Sequence, residues 1–117
     1  MTSLQDKLDY IASQDPASME RLKRLLDKKS FLLDKNIYGE QFTDRQFNLV
    51  FDPLLRTALD RARILELLAE KDNTIPALSG RLSMETWRVF DYLKDLLKNN
   101  LVEIVGYEER NPLFKRR

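Results

Sequence analysis

The stretch of sequence that decides the fold is residues 74–105, TIPALSGRLSMETWRVFDYLKDLLKNNLVEIV. In its first part, three apolar residues have the spacing of a helix of about two turns: Ile75, Leu78 and Leu82. Ser83 is then a candidate N-cap for a longer helix, Met84 to Asn99, because a serine hydroxyl can accept a hydrogen bond from the first turn. Residues 101–105 are rich in β-branched side chains, which favour a strand. The stretch therefore predicts a short helix, a longer helix and a strand in immediate succession.

The longer helix has one apolar face. On a helical wheel, an arc of about 120° contains Thr86, Val89, Phe90, Leu93, Leu96 and Leu97. Four of these residues are predicted to be buried: Val89, Phe90, Leu93 and Leu97. The opposite face carries Met84, Arg88, Asp91 and Asp95. Asn99-Asn100 is expected to end the helix, since Asn tolerates the left-handed conformation that often follows a helix.

A β-hairpin is predicted after this helix. The segment from Gly106 to Pro112 is dense in turn-forming residues, and the hairpin turn is expected across Gly106 to Asn111. Leu113 to Arg117 can return as the second strand. The C-terminal part of the chain is therefore expected to be a set of helices followed by a hairpin.

Two helices are predicted in the first third of the chain. One has its apolar stripe at Leu4, Leu8, Ile11 and Ala12. Asp15-Pro16 then provides an N-cap and a first-turn proline for the next helix. That helix keeps its apolar spacing to about Asp34, and the break falls at Asn36 to Gly39. Its stripe is formed by Leu22, Leu25, Leu26, Leu32 and Leu33.

A third helix has a clear start signal. Thr43 and Gln46 have the spacing of a capping box, and Phe42 and Phe47 have the spacing of a hydrophobic staple. We therefore expect the third helix to begin at Asp44.

A fourth helix is expected to begin soon afterwards. Asp52-Pro53 offers another N-cap and first-turn proline, so the third helix should be short and the fourth should run to Lys71. The fourth helix is apolar over a wide arc, which indicates a central position.

Composition excludes several classes of function. The 117 residues include no Cys and no His, which removes thiolate and imidazole metal ligands, disulfides and the usual proton shuttle. Since the chain also lacks a Gly-rich phosphate loop and a Gly-x-Ser-x-Gly elbow, we predict no enzyme activity, no metal and no cofactor. The formal charge is only +1, so any attraction to nucleic acid must come from a local patch. No apolar run approaches the ~18 residues of a membrane span, and a cytoplasmic protein is expected.

Three helices followed by a hairpin is the order of a winged helix-turn-helix. Four segments in about the last 60 residues also match a known pattern: Arg61 to Glu70, Thr74 to Ser79, Leu93 to Leu97 and Asn100 to Glu103. On these segments, this part of the chain resembles the winged-helix repressors of the arsenical-resistance type. The resemblance implies a homodimer that places Met84 to Asn99 in the major groove and Gly106 to Asn111 beside the phosphates. Asn100 stands where the family usually has Gly. The Cys and His of metal-sensing members are missing, so metal sensing is not implied.

The sequence therefore predicts a mostly α protein with two parts. Residues 1–52 form a helical extension, and residues 53–117 form a winged helix-turn-helix domain with a C-terminal hairpin wing. The first functional hypothesis is a dimeric transcriptional regulator that binds double-stranded DNA through Arg81, Arg88, Tyr92, Arg110, Lys115 and Arg116. Dimerisation is expected through Leu22, Leu25 and Leu32.

The second hypothesis is a winged-helix protein-interaction module that does not bind DNA. The outward face of the longer helix is acidic for a DNA reader, and Met84 and Trp87 could contact a protein partner. The same residues can also be explained without any contact to a partner. Arg88 could be a surface residue paired with Asp91 or Glu85, and the stripe of the second helix could pack within its own chain. Trp87 and Tyr92 could be partly buried at a helix edge, and Arg110 and Lys115 to Arg117 could be solvated ends.

Overall fold

A computed structural model describes residues 3–29 and 43–117 of the chain. In these residues the chain forms five helices and one hairpin: α1 (Leu4–Gln14), α2 (Pro16–Asp27), α3 (Asp44–Glu70), α4 (Ile75–Leu82), α5 (Thr86–Lys98), β1 (Val102–Glu108) and β2 (Asn111–Arg116). The prediction of a mostly helical chain with a C-terminal hairpin is confirmed. By its internal contacts the chain divides into two compact units, Met1–Asp60 and Arg61–Arg117. None of the described helices is both long and apolar enough to cross a membrane.

Capping side chains begin the helices of the first unit. The Ser3 hydroxyl accepts from the Asp6 N–H at 3.1 Å, and the Asp6 carboxylate accepts from the Ser3 N–H at 3.3 Å. Asp15 is the N-cap of α2 and Pro16 its first residue, as predicted. The Asp15 carboxylate is buried and accepts a 2.6 Å hydrogen bond from the Ser18 hydroxyl. α1 and α2 pack against each other, and the buried apolar residues on them are Leu8, Ile11 and Leu22.

The predicted capping box at the start of α3 is confirmed. The Thr43 hydroxyl accepts from the Gln46 N–H at 3.1 Å, and the Gln46 side-chain carbonyl accepts from the Thr43 N–H at 2.9 Å. The helix begins at Asp44, as expected. Phe42, the other half of the predicted staple, lies outside the described residues, as do Leu32, Leu33 and the predicted break at Asn36 to Gly39.

The predicted break at Pro53 is wrong, because α3 continues through Pro53 to Glu70. Pro53 lacks the N–H that would bond the Leu49 carbonyl four residues earlier, which usually costs about 3 kcal/mol. Leu49 is 70% exposed, so water can reach that side of the helix. One buried face continues across the proline, formed by Phe47, Phe51, Leu55, Ala58 and Ala62. Burial of that face favours one long helix over two short ones.

The second unit has its own core. It is built from one face of α3, from α4 and α5, and from the hairpin, and its buried members are Ile64, Leu65, Leu68, Leu78, Val89, Leu93, Leu96, Val102 and Phe114. α4 begins at the N-cap Thr74, whose hydroxyl accepts from the Ala77 N–H at 3.4 Å. Asn100 follows α5 with φ 59°, which confirms that the asparagine pair ends this helix.

The predicted start of the longer helix is wrong by two residues. Ser83 does not cap α5; it closes α4 in the left-handed conformation, with φ 51° and ψ 44°. α5 begins at Thr86 after the N-cap Glu85, whose side chain makes no capping hydrogen bond. The reversal of chain direction after α4 takes place at Ser83, so this residue cannot also begin the next helix.

The hairpin turn is tighter than predicted. Its two central residues are Glu109 and Arg110, with φ 50° and 72°, and Gly106 lies within β1. A β-bulge interrupts the pairing at Val105, since Ile104 pairs with Phe114 and Gly106 with Leu113. An isolated bridge joins β2 to the connection between α3 and α4, with Asn73 and Phe114 exchanging hydrogen bonds of 3.1 and 2.9 Å. This bridge holds the hairpin against the helices of its unit.

Candidate functional site

A turn of three residues, 83–85, joins α4 to α5. Ser79 holds it from α4, since its carbonyl accepts from the Met84 N–H at 3.1 Å and its hydroxyl donates to the Met84 carbonyl. The Met84 side chain is partly buried against the core, so it adds little to the exposed surface. The turn fixes the direction in which α5 leaves α4 and the face that its first turn presents to solvent.

The inner face of α5 is narrower than predicted. Val89, Leu93 and Leu96 are buried, and Leu97 is partly buried against the same core. The predicted burial of Phe90 is wrong, because this side chain is 48% exposed. Phe90 is one residue, or about 100° of helix rotation, beyond Val89, so it lies at the edge of the inner face. The spacing of Val89, Leu93 and Leu96 is the signal that could have placed it there.

The exposed outer face of α5 consists of Trp87, Arg88, Phe90, Asp91, Lys94 and Asp95. Trp87 is 57% exposed, and its indole N–H donates to the Glu85 carboxylate. The Arg88 guanidinium lies over the Trp87 ring, 5.6 Å from its centroid. In the part of the chain that the structure describes, no carboxylate lies within ion-pair distance of Arg88.

Two acids have partners within the same segment, Asp91 on this face and Glu85 at the N-cap of α5. The Lys94 ammonium lies 3.5 Å from the Asp91 carboxylate and 5.1 Å from the centre of the Phe90 ring. The Glu85 carboxylate accepts from Trp87. Arg88 and Lys94 balance the charges of Asp91 and Asp95, so the outer face is close to neutral. Its largest exposed groups are two aromatic rings.

The other predicted DNA-binding residues have different surroundings. Arg81 lies 3.6 Å from the Glu70 carboxylate, and Tyr92 is partly buried against the core. Arg110 is exposed at the hairpin turn. Lys115 is exposed on β2, where it pairs across the hairpin with Glu103, whereas Arg116 pairs with Val102 and is partly buried.

The basic C-terminus is part of the hairpin. The Arg117 N–H donates to the Leu101 carbonyl at 3.0 Å, and the Arg117 side chain lies 3.6 Å from the Glu103 carboxylate. Three large side chains of β1 that were not predicted to have a function are also exposed: Ile104, Val105 and Tyr107. The bulge at Val105 changes the alternation of β1. The adjacent Gly106 is the signal that could have indicated it, because a glycine inside a strand often marks a bulge.

The predicted dimerisation residues have different environments. Leu22 is buried within its own unit and Leu25 is partly buried, whereas Leu32 lies outside the described residues. The same unit has exposed apolar side chains elsewhere: Leu4, Leu49, Val50 and Leu54.

Comparison of the chain with protein-family models, with curated proteins and with solved structures gives no match. The geometry of the second unit is therefore the basis for a proposal about function.

Proposed function

We propose that the second unit is a winged helix-turn-helix that binds double-stranded DNA, with α5 in the major groove and the hairpin beside the phosphates. The observation that carries this proposal is the three-residue turn between α4 and α5, which is the connection length of a helix-turn-helix. The order of α3, α4, α5 and hairpin supports it, as does the bridge from Asn73 to Phe114. In such folds the first turn of the second helix contacts base edges, and here that turn carries Trp87 and Arg88.

Arg110 is the proposed phosphate contact of the wing. A two-residue hairpin turn with positive φ at both positions favours Asn-Gly, because a residue with a Cβ is strained there by about 1–2 kcal/mol. The chain has Glu109 and Arg110 at these positions. An exposed arginine at a position that suits glycine better supports a role for its charge. Since the formal charge of the chain is only +1, DNA affinity should depend on a few such peripheral contacts.

The test is a fluorescence-anisotropy titration with a duplex selected from a random library and with a random duplex, at several salt concentrations. Arg110→Ala should weaken binding to both duplexes and flatten the salt slope by ~1. Arg88→Ala should cost ~1–3 kcal/mol, mainly on the selected duplex. No binding by the wild type at ~50 mM salt contradicts the proposal.

Arg110→Gly provides the matched control for folding. It removes the same charge but also removes the strain of a side chain at positive φ, because glycine adopts this conformation freely. The free energy of unfolding should therefore rise by about 1 kcal/mol. DNA affinity should still fall as in Arg110→Ala. A variant that is more stable and binds DNA less tightly excludes loss of fold as the cause.

We infer that the regulator is a homodimer, which would present two copies of α5 to two half-sites. Of the two predicted contacts within the described residues, Leu22 is buried in its own unit, so Leu25, partly buried on α2, is the one to test. Leu25→Asp should then reduce association, whereas Lys23→Asp, at an exposed position of the same helix, should not. Light scattering that gives a concentration-independent 13.9 kDa contradicts the dimer.

Binding to a protein is the second candidate function, and the exposure of Trp87 and Phe90 favours it. Exposed aromatic residues are enriched in protein interfaces, and the cations of the outer face are engaged with rings or with Asp91. Retention on heparin separates the two functions. Strong retention with a steep salt dependence supports DNA binding, and elution at low salt supports a protein partner.

A further inference from the structure

The exposed surface of Trp87 is mainly hydrocarbon. The indole N–H is the one polar group of a tryptophan side chain, and here it donates to the Glu85 carboxylate. The Arg88 guanidinium lies on the ring at 5.6 Å from its centroid. What remains of the 57% exposed side chain is suited to apolar contacts.

Phe90 extends this apolar surface. It is three residues after Trp87, and residues at this spacing are neighbours on a helix surface. Its exposed ring is approached by the Lys94 ammonium at 5.1 Å from the centroid. The first two turns of α5 therefore present two adjacent aromatic rings, each with a cation beside it.

The major groove offers one apolar group to such a surface. Base edges there display hydrogen-bond donors and acceptors, and the exception is the 5-methyl group of thymine. We propose that Trp87 and Phe90 are specificity-determining residues that recognise thymine by contact with its 5-methyl group. This inference rests on the proposed function, because it assumes that α5 enters the major groove.

Replacement of thymine by deoxyuridine tests the inference without altering the protein. The duplex selected from the random library is synthesised with each thymine replaced in turn, which removes the methyl group and keeps base pairing. For wild-type protein, replacement at one or two positions should raise Kd about fourfold each, the value expected for one buried methyl group. Replacement elsewhere should leave Kd unchanged.

Variants of Trp87 and Phe90 test whether these two rings make the contact with the methyl group. Trp87→Ala or Phe90→Ala should bring the ratio of deoxyuridine to thymine Kd close to one at a sensitive position. Trp87→Phe, which keeps an aromatic ring, should retain most of the discrimination. Tyr107→Ala, which removes an exposed aromatic residue of the hairpin, should not change the ratio. Circular dichroism of each variant checks that the helices are intact.

The outcomes separate the inference from the proposed function. If the protein binds the selected duplex and no thymine replacement changes Kd, the methyl contact is wrong and the DNA-binding proposal stands. If the sensitivity to deoxyuridine persists in both alanine variants, other residues read the methyl group and the inference is again wrong. If duplexes are bound only at random affinity, the methyl contact is wrong and nonspecific DNA binding stands. If no duplex is bound even at ~50 mM salt, both fail, and a protein partner becomes the explanation for the exposed outer face.

Discussion

The inner and outer faces of α5 both carry large apolar residues, yet only the inner face is buried. Val89, Leu93 and Leu96 are closed off in the core of the second unit, while Trp87 and Phe90 are about half exposed on the same helix. The inner residues hold the helix in place, because their burial stabilises the fold. The outer residues contribute less to the fold, since half of their surface remains in water. Apolar character alone therefore does not separate a structural residue from a binding residue, whereas its position around the helix does.

The largest effect expected from this difference is on stability. Leu93→Ala should lower the free energy of unfolding by about 2–5 kcal/mol, because it leaves a cavity in a closed core. Trp87→Ala should lower it by less than about 1 kcal/mol, since it removes exposed surface and one cation–π contact. Urea denaturation followed by circular dichroism measures both. Equal losses for the two variants would mean that Trp87 is a structural residue and that the two faces do not differ in role.

A smaller effect is expected from the charge of the outer face. Asp91 pairs with Lys94, and both side chains are more than half exposed, so Asp91→Asn should change stability by less than about 0.5 kcal/mol. Removal of this negative charge and release of Lys94 should strengthen binding to random duplexes about twofold to fivefold at low salt. Asp91→Glu keeps the charge and should bind as the wild type does. An Asp91→Asn variant with unchanged affinity would place this face away from the phosphates.

The sequence predictions were most accurate where the deciding interactions join residues that are close in the chain. Capping signals such as Asp15-Pro16 and Thr43 with Gln46 are correct because three or four neighbouring residues decide them. Pro53 was a misleading local signal, since a buried face that continues on both sides of it outweighs the lost hydrogen bond. Gly106 was interpreted only as a turn residue, although a glycine inside a strand also indicates a bulge such as the one at Val105.

The candidate site was predictable in part for the same reason. Arg88 and Arg110 were selected from residue type and position, and both are exposed. Phe90 was placed inside, because an apolar arc read from the sequence does not show where the core ends around the helix. Lys94 was not counted on this face either, and its charge makes an apparently acidic surface nearly neutral.

DNA binding through the outer face of α5 is tested most directly by the fluorescence of Trp87, the one tryptophan of the chain. Because this residue lies on the outer face of α5, its emission reports contact at the proposed interface and at no other site. Addition of the selected duplex should change the emission saturably, with the same midpoint as the anisotropy titration, and should protect Trp87 from quenching by acrylamide. Binding detected by anisotropy with unchanged Trp87 emission and unchanged quenching would contradict the account, since DNA would then be held by another surface.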